Sequence, residues 1–172
     1  MLDSNIFLKM VSAVPLVSVD LIIIRDGHEV LLGLRNNRPA KNFWFVPGGR
    51  ILKNELKQDA ICRIVDTELG IMDLLKSGGF NFKFYGVYEH FYQDSFAGDL
   101  GISTHYVVLA YKAEVASGFV LPFGDEQHAA LKWWDITEAL TSPIVHQYVK
   151  DYFFNYNLIG AYDSANEVSM RL

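Results

Sequence analysis

The segment from Pro47 to Ile71 constrains this chain most. It reads Pro47-Gly48-Gly49-Arg50, then Glu55, then Arg63, then Glu68-Leu69-Gly70-Ile71. Paired glycines let a backbone turn sharply and let neighbouring atoms approach where a Cβ would stand. They follow a short aromatic strand predicted over 43–46. Beyond them Leu56, Ala60, Ile61, Ile64, Val65 and Leu69 fall on one apolar stripe, which predicts a helix over 55–69. Gly70 suits the left-handed position after the last turn. Ile64 lies within the stripe and reads as a core contact. Glu68, four residues on, sits at its edge and can look back toward the strand that carries Gly48.

Strands dominate the remainder. Residues 16–25 are rich in Val and Ile, and Asp20 interrupts their apolar pattern. A carboxylate there is costly unless it is paired or stands at the open end of a site. Asp26-Gly27 signals a tight turn, so 28–34 returns as a hairpin partner, ended by Arg35 and followed by a loop over 36–42. A strand dense in aromatics is predicted over 80–92, a loop over 93–103, a partner strand over 104–115 and a further strand over 130–134. Ser142-Pro143 opens a closing helix that reaches about residue 156, with Pro at the first helical position. A helix over 4–13, capped by Asp3 or Ser4, spaces Ile6, Met10 and Val14 along one side, with Phe7 and Val11 beside them, and is expected to pack on the domain. This is an α+β order rather than regular βαβ winding. The 172 residues suffice for one core, expected over 1–156, with a loosely ordered polar tail over 157–172.

A net charge of -5 and a pI near 5.5 argue against broad nucleic-acid or anionic-membrane contact. They leave room for a small anionic ligand held by a few arginines. No apolar run reaches the ~18 residues that span a membrane, and no signal peptide is visible. Cys62 is the single cysteine, which rules out a disulfide framework and suits a reducing cytoplasm. It is expected to be a buried packing residue.

The segment from Pro47 to Ile71 resembles the Nudix box, G-x5-E-x7-R-E-U-x-E-E-x-G-U with U a bulky aliphatic. Gly49, Glu55, Arg63, Glu68, Gly70 and Ile71 match, whereas Ile64 and Thr67 stand where carboxylates are expected. The resemblance implies a mixed β-sheet sandwiched between α-helices, and divalent cations that bridge a diphosphate. With one helix carboxylate, a single Mg²⁺ held mainly by the substrate's own diphosphate is easier to build than a multi-metal centre.

More of the chain, about residues 1–150, is similar to the GDP-mannose mannosyl hydrolase branch. The similarity rests on Pro15-Leu16-Val17-Ser18-Val19-Asp20, on Leu32-Gly33-Leu34-Arg35-Asn36-Asn37-Arg38-Pro39 and on Phe43-Trp44-Phe45-Val46 before the glycines. It continues through Phe84-Tyr85-Gly86-Val87-Tyr88-Glu89-His90-Phe91-Tyr92, Thr104-His105-Tyr106-Val107-Val108-Leu109, Leu121-Pro122 and Asp125-Glu126-Gln127-His128. The missing carboxylates together with Asp-Glu-Gln-His and Asn-Arg-Pro are far more specific than the box. The stretch between Gly70 and Phe84 is longer than in that branch, and the tail matches nothing in it.

The resemblance implies that water attacks the anomeric carbon of a GDP-hexose with inversion, and that GDP leaves. The substrate would be GDP-mannose, with GDP-glucose as a second candidate, in a cytoplasmic homodimer with one Mg²⁺ per subunit and Mn²⁺ as the alternative ion. His128 becomes the general base, because an imidazole titrates near neutral pH. Gln127, Glu68 and the Gly48 carbonyl become metal ligands. Arg35 and Arg50 face the charge that grows on the departing GDP. Asp20 and His90 contact or orient the sugar, and Tyr106 offers its hydroxyl near the diphosphate. Leu2 and Phe7, on a segment that reaches across the dimer, line the nucleotide pocket. Without the resemblance Gln127 reads as a loop residue and His128 as a surface histidine. Asp20, His90 and Tyr106 then read as satisfied polar groups in the sheet. Arg63 either steadies the metal-site glutamate or covers apolar surface, and Glu55 reads as structural. Two other activities compete. One is a pyrophosphohydrolase attacking phosphorus to give GMP and a sugar phosphate, against which Ile64 and Thr67 speak. The other is a catalytically silent nucleotide-sugar-binding protein.

Overall fold

A strand that is apolar on both faces needs cover on both sides, and Leu16–Arg25 (β1) receives it. The computed structural model describes residues 4–71, 81–95, 101–119 and 128–154. Within them β1 is central to a seven-stranded mixed sheet. Glu29–Arg35 (β2), Trp44–Phe45 (β3), Gly48–Arg50 (β4), Lys83–Tyr92 (β5), Thr104–Val115 (β6) and His128–Asp135 (β7) complete it. The main order is β3-β2-β1-β6-β5, with β4 pairing β1 and β7 pairing β2. β1 runs parallel to β6 along its whole length and antiparallel to its other neighbours.

The period of two along β1 divides the core. Val19, Leu21 and Ile23 meet Ile61, Ile64, Val65 and Leu69 of the box helix. Ile22 and Ile24 meet Val145, Val149 and Tyr152 near the C-terminal helix, Gln147–Phe154. The α+β sandwich expected from the sequence is the observed architecture. No helix of the described residues is long and apolar enough to cross a membrane.

Several boundaries move, each for a local reason. The box helix begins at Lys57 (α2, Lys57–Ile64), because Leu56 is extended and Glu55 folds back to accept from the Leu52 amide. Leu56 is exposed and so leaves the apolar stripe. The last turn, Val65–Leu69, widens into a π-helix and ends at Gly70 with φ 64. Ser142-Pro143 does not open the closing helix. Residues 142–146 instead run along β3, where the Trp44 amide donates to Ile144 O and the His146 amide to Trp44 O. That helix, α4, starts at Gln147, and an unexpected short helix, Ile136–Thr141 (α3), precedes it under an Asp135 side-chain cap. Cys62 is half-buried rather than buried. The N-terminal helix Ser4–Ala13 (α1) forms, yet it buries Val11 while Ile6, Met10 and Val14 stay about half exposed. The helix thus packs on the domain as expected, but through Val11 and Phe7 rather than through the Ile6, Met10 and Val14 stripe.

Candidate active site

Gly48 is the junction of the site. It pairs with Asp20 across β1 and β4, so a Cβ there would stand 2.5 Å from Asp20 Oδ1 and 2.8 Å from the Val19 carbonyl. The carbonyl belongs to a paired strand and the carboxylate is held by Tyr152, which accounts for the glycine. The Gly48 amide donates to Glu68 Oε2 at 2.9 Å. The box carboxylate thus turns back from the π-turn to the glycine strand, as the stripe predicted, and is only 2% exposed. Gly49 leaves room for Ile64, whose Cγ1 would lie 3.3 Å from an added Cβ.

Asp20 faces the other side of the sheet, toward α4. It is buried, and the Tyr152 hydroxyl donates to its Oδ2 at 2.5 Å. Burial pushes the Asp20 carboxyl up to about 6, an effect only partly offset by the Tyr152 hydrogen bond and the Arg35 charge. The Tyr152 oxygen also lies 3.3 Å from His90 Nε2. Burial, with the nearby His146, lowers His90 to about 3, so it is neutral at physiological pH. The His90 ring stacks on Tyr148 with centroids 4.0 Å apart. Tyr148 is itself fixed, because its hydroxyl accepts from the Phe91 amide and donates to the Phe91 carbonyl, both at 2.7 Å. Phe45, Tyr92 and His146 close around this pair.

Arg35 is the cation common to this pocket. Its charge acts on Asp20, Tyr92, Tyr106 and His146. Burial raises both Tyr92 and Tyr106, and for Tyr106 the charges of Arg50 and Arg35 oppose that rise. Arg35 Nε donates to the Pro39 carbonyl, and its guanidinium carbon lies 5.9 Å from the Phe45 ring centroid. Arg50 stacks over Phe7 at 4.0 Å, which ties α1 to the rim.

Asp20, Arg35, Arg50, His90 and Tyr106 are thus connected around the middle of β1, and Gly48 joins them to Glu68 on the box-helix side. The backbone of His128 pairs with Arg35 in β7 and β2, and its side chain lies outside the described residues. Gln127 and Leu2 also lie outside them. Arg63 feels the charge of Glu68, in keeping with one of its two expected roles, while its hydrogen bonds go to other partners. It grips Glu55 through both carboxylate oxygens, at 2.7 and 2.9 Å, and donates to the Arg50 carbonyl at 2.8 Å, so it braces the loop behind the glycines. Glu55 is structural, as read from the sequence, and this pairing holds its carboxyl below the usual range. Sequence reasoning missed Tyr92, His146, Tyr148 and Tyr152. Tyr152 had left a signal. A tyrosine on a buried stripe needs an acceptor for its hydroxyl, and Asp20 in an apolar strand needs a donor.

The donor chemistry suits a hard cation. Among the described residues no three His, Cys, Asp or Glu side chains gather into a metal cluster. Ile64 is 1% exposed in the core, and the Thr67 hydroxyl donates to the Arg63 carbonyl. The two non-acidic box positions are thus built into the helix. A buried carboxylate beside the glycine turn remains, an oxygen donor of the kind Mg²⁺ takes alongside water and phosphate oxygens.

The NUDIX domain family profile matches residues 14–154. The low-salt glycan biosynthesis protein Agl8 of Haloferax volcanii is 39% identical over 140 residues, covering 81% of this chain and 83% of its own length. An ADP-ribose pyrophosphatase of Methanocaldococcus jannaschii is 28% identical over 139 residues, covering 80% and 73%. Among solved structures, a MutT protein from Methanosarcina mazei superposes with a TM-score of 0.65 at 19% identity, over 84% of this chain and 95% of that one, which speaks for the fold. A glycine turn backed by a box glutamate, the sandwich around β1 and a family match across nearly all the described residues lead to one assignment: this chain belongs to the NUDIX domain family, and it is a Nudix hydrolase.

Proposed function

We propose that this chain hydrolyses a GDP-hexose, GDP-mannose first and GDP-glucose second, to GDP and the free sugar by attack of water at the anomeric carbon with inversion. The observation that carries the reading is the fate of the two missing box carboxylates. Ile64 is packed in the core and the Thr67 hydroxyl is spent on the helix backbone. One helix carboxylate, Glu68, therefore faces the glycine turn. Attack on phosphorus with several metal ions asks for more ligands than that. Attack on carbon asks for a stabilised leaving diphosphate and a base. The relative named for low-salt glycan biosynthesis supports a sugar nucleotide as substrate.

On this reading Glu68, the Gly48 carbonyl and Gln127 hold a single Mg²⁺ per subunit, with Mn²⁺ as the alternative. The ion supplies charge neutralisation of the diphosphate when bound. Arg35, Arg50 and the Tyr106 hydroxyl face the departing GDP. Asp20 and His90 orient the hexose, and neutral His90 serves as a hydrogen-bonding partner rather than as a cation. His128 accepts the proton of the attacking water. Leu2 and Phe7 line the nucleotide side. The protein acts in the cytoplasm as a homodimer, without nucleic-acid or membrane partners. The exposed Met10 on α1 and Val14 just beyond it suit a subunit contact.

A second reading, attack at phosphorus giving GMP and a sugar phosphate, is favoured by the relative named ADP-ribose pyrophosphatase. Turnover of GDP-mannose in ¹⁸O-water with Mg²⁺ separates the two. Label in free mannose with unlabelled GDP is the expected result. Label in GMP or mannose phosphate would establish the second reading. Tight binding without turnover would make the chain a nucleotide-sugar-binding protein.

A further inference from the structure

His146 is a polar side chain in the pocket that no role above absorbs. Its backbone is fixed on both sides, since its amide donates to Trp44 O at 3.1 Å and its carbonyl accepts from the Val149 amide at 3.1 Å. Its ring is fixed as well. Nδ1 accepts from the Tyr148 amide at 3.3 Å. Phe43 meets the ring edge-on at 5.1 Å, and Phe45, Tyr92 and Tyr148 surround it at 5.2, 5.7 and 4.9 Å. A neutral imidazole that accepts at Nδ1 carries its proton on Nε2. Burial and the neighbouring Arg35 lower this histidine to about 4, so the neutral form is the one present at pH 7. The tautomer therefore follows from the Tyr148 amide.

That leaves one donor, Nε2–H. It has no hydrogen-bond partner among the described residues, and it is absent from the fully buried unsatisfied atoms, Ser95 Oγ, His105 Nε2 and Trp134 Nε1. It is thus a donor open to a ligand, on a ring held by aromatic walls and set beside Arg35. The same walls reach His90 through Phe45 and Tyr148, and Tyr106 through Tyr92. A rigid neutral N–H framed by aromatic faces matches a sugar hydroxyl above apolar C–H groups better than it matches a phosphate, for which Arg35 and Arg50 are the stronger partners.

We propose that His146 is a substrate-contacting residue, whose Nε2–H donates to a hydroxyl of the sugar in the bound nucleotide sugar. The inference rests on the nucleotide-sugar reading above and deepens it, because it separates recognition of the sugar from recognition of the diphosphate.

The two ring nitrogens can be tested apart. Asparagine can place an acceptor where Nδ1 stands, and glutamine can place an N–H donor where Nε2 stands. His146→Asn therefore retains the contact to the Tyr148 amide and removes the sugar donor. His146→Gln retains the donor and loosens the contact to the amide. The measurements are kcat and KM for GDP-mannose, the inhibition constant of GDP, and the thermal midpoint of each variant. We expect His146→Asn to lower kcat/KM roughly tenfold, the scale of one lost hydrogen bond, mainly through KM, with the GDP inhibition constant unchanged. His146→Gln should stay within about threefold of wild type in kcat/KM while its midpoint falls. Wild-type kinetics in His146→Asn would overturn the proposal and leave His146 a structural contact to α4. An equal weakening of GDP and GDP-mannose in that variant would overturn it too, since the donor would then not face the sugar. If the wild type turns over ADP-ribose but not GDP-mannose, the GDP-hexose reading fails. The same variants, compared on ADP-ribose against ADP, then decide the His146 proposal.

Discussion

At the scale of single residues, the couple between Asp20 and Tyr152 decides how a charge is kept inside an apolar sheet. The carboxyl is buried at the centre of β1, and a residue 132 positions away supplies its donor. Need was legible in the sequence, because an Asp in a Val- and Ile-rich strand must find a partner. The identity of the partner was not, since nothing local links β1 to α4. Tyr152→Phe keeps the ring that meets Tyr88 edge-on at 4.7 Å and deletes only the hydroxyl. It should cost about 2 kcal/mol at pH 7.5, the scale of a buried hydrogen bond to a charged group. Urea unfolding measures it. Because the Tyr152 bond lowers the Asp20 carboxyl, its loss raises that group further, so the deficit should shrink below pH 6, where the acid is neutral in both proteins. A deficit independent of pH would mean that the hydroxyl does not act through Asp20.

At the scale of elements, the box helix shows how one stripe fixes both core and chemistry. The stripe correctly put Ile64 inside and turned Glu68 toward Gly48, from spacing alone. Its ends were less legible. Glu55 forms a cap-like contact to Leu52 rather than a first helical turn, and the widening into a π-turn depends on packing that no propensity records. The closing helix failed for a similar reason, as pairing along Trp44 outweighed the Pro143 start signal. The two departures from the Nudix pattern therefore have different structural meanings. Ile64→Glu would put an unpaired carboxylate among Val19, Leu21 and Val65, and should destabilise by about 3 kcal/mol or more. Thr67 is exposed, and Thr67→Glu should stay within about 0.5 kcal/mol of wild type. Denaturant midpoints of the two variants check this. Equal stability of both would show that the helix can rotate to expose position 64.

At the scale of the whole molecule, the buried ionisable groups of the pocket set its response to acid. Asp20, raised from 3.8 to about 6, contributes stability that is full below pH 3.8 and lost as pH rises through 6. His90, lowered from 6.5 to about 3, does the reverse: its contribution is full above pH 6.5 and lost as pH falls toward 3. His146, lowered to about 4, acts in the same direction as His90. Two histidines with the wider intervals outweigh one aspartate, so the thermal midpoint should fall between pH 7 and pH 4. His90→Gln should flatten that fall, and an unchanged slope would show that His90 is free to protonate in the folded state. The fold class was legible at this scale through the sequence of strands and the glycine–helix junction, whereas the exposure of Met10 and Val14 was not, because spacing along a helix does not say what covers it. The hydroxyl of Tyr148 has one more effect. β5 ends the sheet among the described residues, and a free strand edge invites pairing with another chain. By occupying both the amide and the carbonyl of Phe91, Tyr148 plugs that edge with a side chain that cannot be extended into a new strand. The ring that braces the pocket thereby also closes the edge of β5 at Phe91 to a pairing strand.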